Sequence, residues 1–214
     1  MHIPDGFLSP KTYIPAYVIA SGLWIYGIKK MKKELEDKTV PFLSVMAAFS
    51  FVISLIMVPI PGGSSGHAVG IGLLSVIFGY WTAFIVLSVV FFLQAVMFGD
   101  GGITTFPVNA VIMGFVGGIT SYYVYRFLRK INNTFALFLA GYMGLLISAF
   151  FTAVVLGIQP YIAHNKDGNP LFFPFDLSIT VPAVLVPHLF IGIGEGILTV
   201  VGWNIYRRIY DGKD

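Results

Sequence analysis

The sequence predicts an all-α membrane protein, and three observations lead to this fold class. The 214-residue chain is 57% hydrophobic and only 11% charged, with a mean hydropathy of +0.84. Soluble globular proteins carry about 25% charged residues. Several apolar runs approach the roughly 20 residues that a helix needs to cross a bilayer. The two-residue alternation typical of a transmembrane barrel is absent from the sequence.

The distribution of positive charge predicts the topology. Eleven of the thirteen Lys and Arg residues fall in three clusters, which are Lys29, Lys30, Lys32, Lys33 and Lys38; Arg126, Arg129 and Lys130; and Arg207, Arg208 and Lys213. Such clusters mark the cytoplasmic ends of membrane helices, so they indicate topology and not nucleic-acid binding. We therefore expect the N-terminus outside and the C-terminus in the cytoplasm. Cysteine is absent, which excludes disulfides and thiolate ligands.

We expect one integral membrane domain over residues 1–214 with seven transmembrane helices. The first, about 12–28, ends at the first basic cluster, and the second, about 40–58, ends at a Pro- and Gly-rich run. A short third helix, about 68–78, and a fourth, about 82–98, are separated by a Gly-Tyr-Trp corner. The fifth (108–125) and seventh (181–206) end at basic clusters, with the sixth (134–156) between them. Gly192 and Gly196, four residues apart, would let the seventh helix pack closely against a neighbour.

Three outer loops and an N-terminal tip complete the expected architecture. The loops cover about 59–67, 99–107 and 158–180; the first should break regular structure, and the second should fold over it. No basic segment precedes the first apolar run, so we do not interpret the start as a signal peptide. Residues 1–8, Met-His-Ile-Pro-Asp-Gly-Phe-Leu, contain a turn that would fold the tip back into the bundle.

The tip is also the best candidate for chemistry. The α-amine of Met1, the backbone nitrogen of His2 and the His2 imidazole can close two fused chelate rings on one metal ion. His67, in the outer loop, could add a fourth nitrogen. Four nitrogens in a plane suit Ni(II) or Cu(II). The alternative is that His2 is a frayed terminal residue and His67 a helix-start residue, with no metal at either.

Several polar residues within the predicted bundle are candidates for supporting roles. His188 and Glu195 lie seven residues apart on one face of the seventh helix, where ionisable groups are functional candidates. They could support a site or line an inward path, or instead form a buried hydrogen-bonded pair that locks helices. Gln94 and Asn109 could orient ligands, whereas Asp100 could either do so or only shape a turn.

Enzymatic functions find no support in the motifs. The sequence lacks a His-Glu-x-x-His motif and a nucleophile elbow, and it also lacks a Walker motif. We therefore expect a transporter subunit without its own ATPase, not an enzyme. If transport is driven by ATP, another subunit must bind the nucleotide.

Four stretches resemble the CbiM/NikM family, the substrate-binding (S) components of nickel and cobalt energy-coupling-factor (ECF) transporters. They are residues 1–8, residues 63–67 (Gly-Ser-Ser-Gly-His), residues 94–105 from Gln94 through the Gly-rich loop, and Pro187-His188 with Gly194-Glu195-Gly196. One departure is Phe106-Pro107-Val108-Asn109, where the family pattern would be Leu-Gly-Ala-Asn.

The resemblance implies an S component in the multi-pass plasma membrane of a prokaryote. It implies Ni(II) as transported substrate, bound by Met1, His2 and His67. It also implies partners: a membrane coupling (T) component, cytoplasmic ATP-binding subunits and a small accessory membrane subunit. Co(II) for cobalamin synthesis is the alternative within the family. A self-contained carrier or channel for an organic substrate, with structural histidines, is the alternative outside it.

Overall fold

The computed structural model describes residues 1–35, 39–60 and 64–210, and it is mostly helical. Within these residues lie seven helices of eight or more residues: α1 Pro10–Glu34, α2 Val40–Ser54, α3 Ile71–Phe78, α4 Tyr80–Phe98, α5 Phe106–Leu128, α6 Asn133–Gly157 and α7 Leu177–Tyr210. A further helical turn covers Gln159–Ile162. Part of α5, Ala110–Val116, is π-helical and begins directly after Asn109. Each segment predicted to be helical therefore contains a helix.

Four helical segments are long and apolar enough to cross a membrane, namely Tyr80–Phe98, Phe106–Leu128, Asn133–Ile162 and Leu177–Ile209. By contrast, α3 has eight residues and extends only about 12 Å at 1.5 Å per residue. The count of seven crossings and the orientation of the termini therefore stay predictions. Lys30 and Arg126 line one cavity, so two of the basic clusters lie at the same end of the bundle. Lys38 and Lys213 lie outside the described residues.

The predicted C-terminal ends of the first two helices are wrong, and the first helix also begins two residues earlier than predicted. Helix α1 begins at Pro10 because the Ser9 side chain accepts a hydrogen bond from the Lys11 amide, a typical N-cap. It continues to Glu34, since lysine and glutamate favour helix and do not end one. Helix α2 stops at Ser54 because the chain beyond it forms a strand.

The first outer loop contains regular structure where none was expected. Strand β1, Val58–Ile60, pairs antiparallel with strand β2, Ser64–Gly66, and Pro59 faces Ser65. Residues 61–63 of this loop lie outside the described residues. The hairpin delivers His67 into an extended segment, and α3 begins only at Ile71. Helix α5 begins at Phe106, two residues earlier than predicted, because Pro107 is favourable in a first turn.

Close packing of α7 against α6 forms much of the bundle. A Cβ atom on Gly196 would lie 2.7 Å from a ring carbon of Phe138, and one on Gly192 would lie 3.0 Å from Tyr142. The predicted close approach at these glycines is therefore confirmed. The tip contributes its own buried apolar side chains, of which Ile3 and Leu8 pack in one cluster with Val108 of α5.

Candidate metal centre

The amino group of Met1 is buried beside the hairpin. It donates a hydrogen bond to the carbonyl oxygen of Ser65 in β2, and Met1 is only 1% exposed. Burial lowers the pKa of the amine from 8.0 to about 5, although the charge of Asp100 acts in the opposite direction. At neutral pH the amine is thus mainly unprotonated, which is the form that binds a metal ion.

The imidazole of His2 packs against two rings and bonds to a carboxylate. Its centroid is 4.7 Å from that of His67 and 4.9 Å from that of Phe91. The His2 Nδ1 lies 2.9 Å from Oδ2 of Asp100. Burial alone would raise the pKa of Asp100, but the hydrogen bond from His2 outweighs it, so this pKa is lowered. Burial lowers the pKa of His2 despite Asp100, so the ring is neutral with Nδ1 as donor.

His67 presents an unprotonated nitrogen to the same region. Its Nδ1 lies 3.2 Å from the carbonyl oxygen of Ala68, which can only accept, so Nδ1 carries the proton. Burial lowers the pKa of His67 well below 6.5, and a proton on the amine or on His2 would lower it further. Its Nε2 is buried and has no hydrogen-bond partner among the described residues. Metal-binding histidines are oriented in this way by a carbonyl on the second ring nitrogen.

The structure brings His2, His67 and Asp100 into one cluster. Each offers a ligand atom, and these atoms lie within 4.8 Å of one another. The Met1 amine lies at the same place, through its bond to Ser65 two residues before His67. A nitrogen-rich set with no thiolate suits Ni(II), Cu(II), Co(II) or Zn(II) better than Mg²⁺ or Ca²⁺.

The His2 ring does not have the orientation that the chelate requires. A chelate ring that includes the His2 amide nitrogen closes with six members through Nδ1, whereas Nε2 is on the far side of the imidazole. In the structure Nδ1 faces Asp100 and Nε2 is unpartnered among the described residues. The three-nitrogen chelate therefore requires this side chain to rotate, which breaks the present bond to Asp100.

Asn109 and Thr105 hold the tip by its backbone. Oδ1 of Asn109 accepts from the Ile3 amide at 2.9 Å, and its Nδ2 donates to the Ile3 carbonyl at 3.1 Å. The Thr105 hydroxyl donates to the same carbonyl at 2.5 Å. These bonds fix the residue next to His2, and a role of Asn109 in orienting the ligands stays a prediction.

A second clasp joins Asp5 to the Gly-rich loop. Its carboxylate accepts hydrogen bonds from the Ile103 amide at 3.0 Å, from the Thr104 amide at 2.8 Å and from the Thr104 hydroxyl. Within the loop, Gly101 has φ +83°, and a Cβ there would lie 3.4 Å from the Cβ of His2. The loop thus folds around the tip at a position where glycine is favoured on two grounds.

Comparison with known proteins identifies the family. Residues 2–210 match the model described as the cobalt uptake substrate-specific transmembrane region, CbiM. The chain belongs to the CbiM family. This assignment confirms the family expected from the motifs.

Two relatives of this CbiM-family chain carry nickel in their names. The fused nickel transport protein NikMN of Rhodobacter capsulatus is 39% identical, over 95% of this chain and 61% of its own length. The probable fused nickel transport protein LarMN of Lactiplantibacillus plantarum is 37% identical, over 98% of this chain and 65% of its own length. The chain therefore spans somewhat less than two thirds of these relatives. A crystal structure of a transition metal transporter superposes with a TM-score of 0.94 at 36% identity, covering 100% of this chain and 95% of the other.

Glu195 of this CbiM-family chain holds the segment that follows His67. Its carboxylate accepts from the amides of Val69 at 2.8 Å, Gly70 at 3.0 Å and Gly72 at 3.3 Å. These are amides at the start of α3, where donors lack helical partners and favour an anion. Glu195 is therefore a support of the His67 segment.

His188 and Gln94 lie elsewhere. His188 is completely buried, and its Nδ1 lies 2.7 Å from the Val184 carbonyl, so it is not bonded to Glu195 as one interpretation of the sequence proposed. The amide nitrogen of Gln94 lies 2.5 Å from the Ser54 hydroxyl and 3.3 Å from the Phe51 carbonyl. The side-chain hydrogen bonds of Gln94 thus join α4 to α2, whereas its backbone carbonyl accepts from the Asp100 amide at 3.2 Å.

Sequence reasoning missed the acceptor of the amine and one contact of the tip. The Ser65 carbonyl is a backbone group, which no residue pattern reveals. Thr105 lies in the recognised Gly-rich motif, but its bond to Ile3 depends on how the loop folds.

Proposed function

We propose that this CbiM-family chain captures Ni(II) at the outer face of a prokaryotic plasma membrane, as the substrate-specific component of an ATP-driven nickel transporter. One observation carries the proposal. The Met1 amine, His2 and His67 converge in a buried cluster where burial disfavours the proton on every one of them. A buried set of unprotonated nitrogens is suited to a metal ion and poorly suited to an organic anion.

The bound ion takes four nitrogens: the Met1 amine, the His2 amide, Nδ1 of His2 and Nε2 of His67. The His2 ring rotates to present Nδ1, and Asp100 then accepts a hydrogen bond from the Nε2–H that faces away from the ion. Binding displaces the proton of the His2 amide. A planar four-nitrogen set favours Ni(II), for which the names of the two fused relatives are further support.

Co(II) is the second candidate substrate, because the matching family is described by cobalt uptake. Asp100 belongs to the cluster and could act as an oxygen ligand to an ion that accepts higher coordination. In that arrangement the His2 ring keeps its present position near His67 and loses only its bond to Asp100.

ATP-driven transport would require partners, since these 214 residues contain no Walker motif. We propose a membrane coupling (T) component and cytoplasmic ATP-binding subunits, with a small accessory membrane subunit. The bundle crosses the membrane seven times with the tip outside and the basic clusters in the cytoplasm. ATP hydrolysis in the partners reorients it and delivers the ion inward.

One added alanine before Met1 tests the capture site. The displaced amine can no longer close a five-membered ring with the His2 amide, so calorimetry should show near-total loss of Ni(II) affinity. A chain with one alanine added after Asp214 is the matched control and should bind as the unmodified chain does. Unchanged affinity in the N-terminally extended chain would refute the proposed site, and a panel of Ni(II) and Co(II) titrations ranks the two ions.

A further inference from the structure

Three histidines of the described chain share one chemical state. In His2, His67 and His188, Nδ1 lies against a carbonyl or carboxylate oxygen and Nε2 is buried without a partner among the described residues. The fourth, His164, is exposed. A neutral imidazole with its proton on Nδ1 has its lone pair on Nε2. His188 is therefore prepared as a ligand in the same way as His67, although it is not part of the proposed capture site.

His188 lies next to the His67 segment but outside the cluster. A Cβ atom on Gly66 would be 3.5 Å from Cε1 of His188, the ring carbon between Nδ1 and Nε2. Gly66 directly precedes His67, and its lack of a side chain lets this edge of the imidazole approach the segment. The three ligand atoms that lie within 4.8 Å of one another come from His2, His67 and Asp100. His188 is not part of this cluster, so an ion bound at the tip would have to move to reach His188.

The apolar surroundings leave His188 with few competing partners. Ile191, one helical turn further along α7, and Ile60 of β1 approach the same Gly66 position. Glu195 lies seven residues further along α7, and its carboxylate accepts from the amides at the start of α3. Of these two side chains, the one with an unused ligand atom is His188, through Nε2.

We propose that Nε2 of His188 forms, together with Nε2 of His67, a second station for the divalent ion, which the ion occupies after it leaves the N-terminal tip. This deepens the proposed function and rests on it. In the transfer, the bonds from the metal to the amine, the amide and the His2 imidazole break, and the amide nitrogen regains one proton from solvent. The His188 lone pair forms a new dative bond while the bond to His67 is kept. No electron is transferred.

The test separates the two stations by disabling the tip. A chain with an added N-terminal alanine and His2→Ala is titrated with Ni(II) alone. It should retain a weak one-to-one site, and His188→Leu in this background should reduce its affinity by roughly tenfold or more. In the unmodified chain, His188→Leu should leave the affinity of the first equivalent unchanged. His164→Leu is the matched control in both backgrounds and should change neither affinity.

A spectroscopic measurement reports the ligands directly. With Cu(II) as probe, electron paramagnetic resonance of the tip-disabled chain should show two coordinated imidazole nitrogens, and His188→Leu should leave one. His188→Gln keeps a polar side chain and replaces the leucine variant if that variant does not fold. The station at His188 is refuted if the tip-disabled chain binds no ion, if its affinity does not depend on His188, or if His188→Leu weakens the first equivalent. Unaltered first-equivalent binding in the tip-disabled chain would refute the proposed function instead.

Discussion

Asn109 pairs with both backbone groups of Ile3, at 2.9 Å to the amide and 3.1 Å to the carbonyl, as a neighbouring strand would. A side chain of α5 thereby supplies the edge against which the tip is aligned. The residue so held is the one that follows His2. The position of the proposed chelate therefore depends on the side chain of Asn109, although Asn109 does not need to contact the ion.

Replacing Asn109 with leucine should weaken Ni(II) binding. The Ile3 amide loses its acceptor, and an unsatisfied buried group costs about 1–3 kcal/mol, which corresponds to roughly 5- to 150-fold in affinity. Calorimetry measures the loss, and a thermal melt shows whether the bundle itself remains folded. Asn133→Leu, at the start of α6, is the control and should leave the affinity as it was. An Asn109→Leu chain that binds Ni(II) normally would show that the tip needs no such alignment.

Asp100→Asn should lower Ni(II) affinity by about 10- to 100-fold, as is typical for groups that orient a metal-binding histidine. The amide keeps the shape of the side chain but removes the charge that stabilises the His2 donor. Asp176→Asn provides the comparison, since Asp176 is an acidic residue whose bonds are local to the start of α7. Equal affinities for the two variants would exclude an orienting role for Asp100. A larger effect on Co(II) than on Ni(II) would indicate that Asp100 ligates cobalt.

Proton release on binding should report the lowered pKa of the Met1 amine. With a pKa of about 5, the amine is already deprotonated at pH 7, and burial keeps His2 and His67 neutral as well. One Ni(II) should then release about one proton at pH 7, from the His2 amide. Calorimetry in buffers of different ionisation enthalpy measures this number. A release of two protons would mean that the amine keeps its ordinary pKa near 8.

The same shift fixes the direction of the pH effect on the docked tip. A free amine takes up a proton below pH 8, whereas the buried amine does so only near pH 5. Docking is therefore most stable above pH 8 and weakens as the pH falls from 8 towards 5. The protection of the Ile3 amide against hydrogen exchange, measured relative to the intrinsic rate at each pH, should accordingly fall over this interval.

Glu195→Gln should disturb His67 from a distance. The variant has one acceptor oxygen in place of two, and its NH₂ group would face the amides of Val69, Gly70 and Gly72. We expect faster exchange of those amides, a lower melting temperature and weaker Ni(II) binding. Glu34→Gln, at the end of α1, is the control. Unchanged exchange at the start of α3 would show that the carboxylate charge is unimportant there.

Local patterns in the sequence were sufficient to predict the helices and to propose a chelate at the tip. Apolar runs predicted the seven helices because burial and length leave a signal within each segment. The Met1-His2 pair indicated a chelate because the donor atoms are adjacent in the chain. Neither prediction required knowledge of a distant contact.

The features that could not be predicted from the sequence depend on contacts between residues far apart in the chain. Helix α2 ends at Ser54 because β1 pairs with β2, and no residue within α2 indicates that stop. Glu195 was expected on a helix face. The amides that donate to its carboxylate lie more than 120 residues earlier, at the start of α3. The orientation of the His2 ring also depends on Asp100, 98 residues away.

If the tip binds the ion as proposed, its burial would determine how quickly the ion exchanges. Met1, His2 and His67 are each no more than 2% exposed, and the tip is fastened by Asp5, Thr105 and Asn109. We expect an ion at this site to return to solvent only when the first residues of the chain lift away. The dwell time of the ion is then governed by the opening rate of a peptide segment and not by the lability of the metal. Ions that exchange water at very different rates would leave this protein at similar speeds.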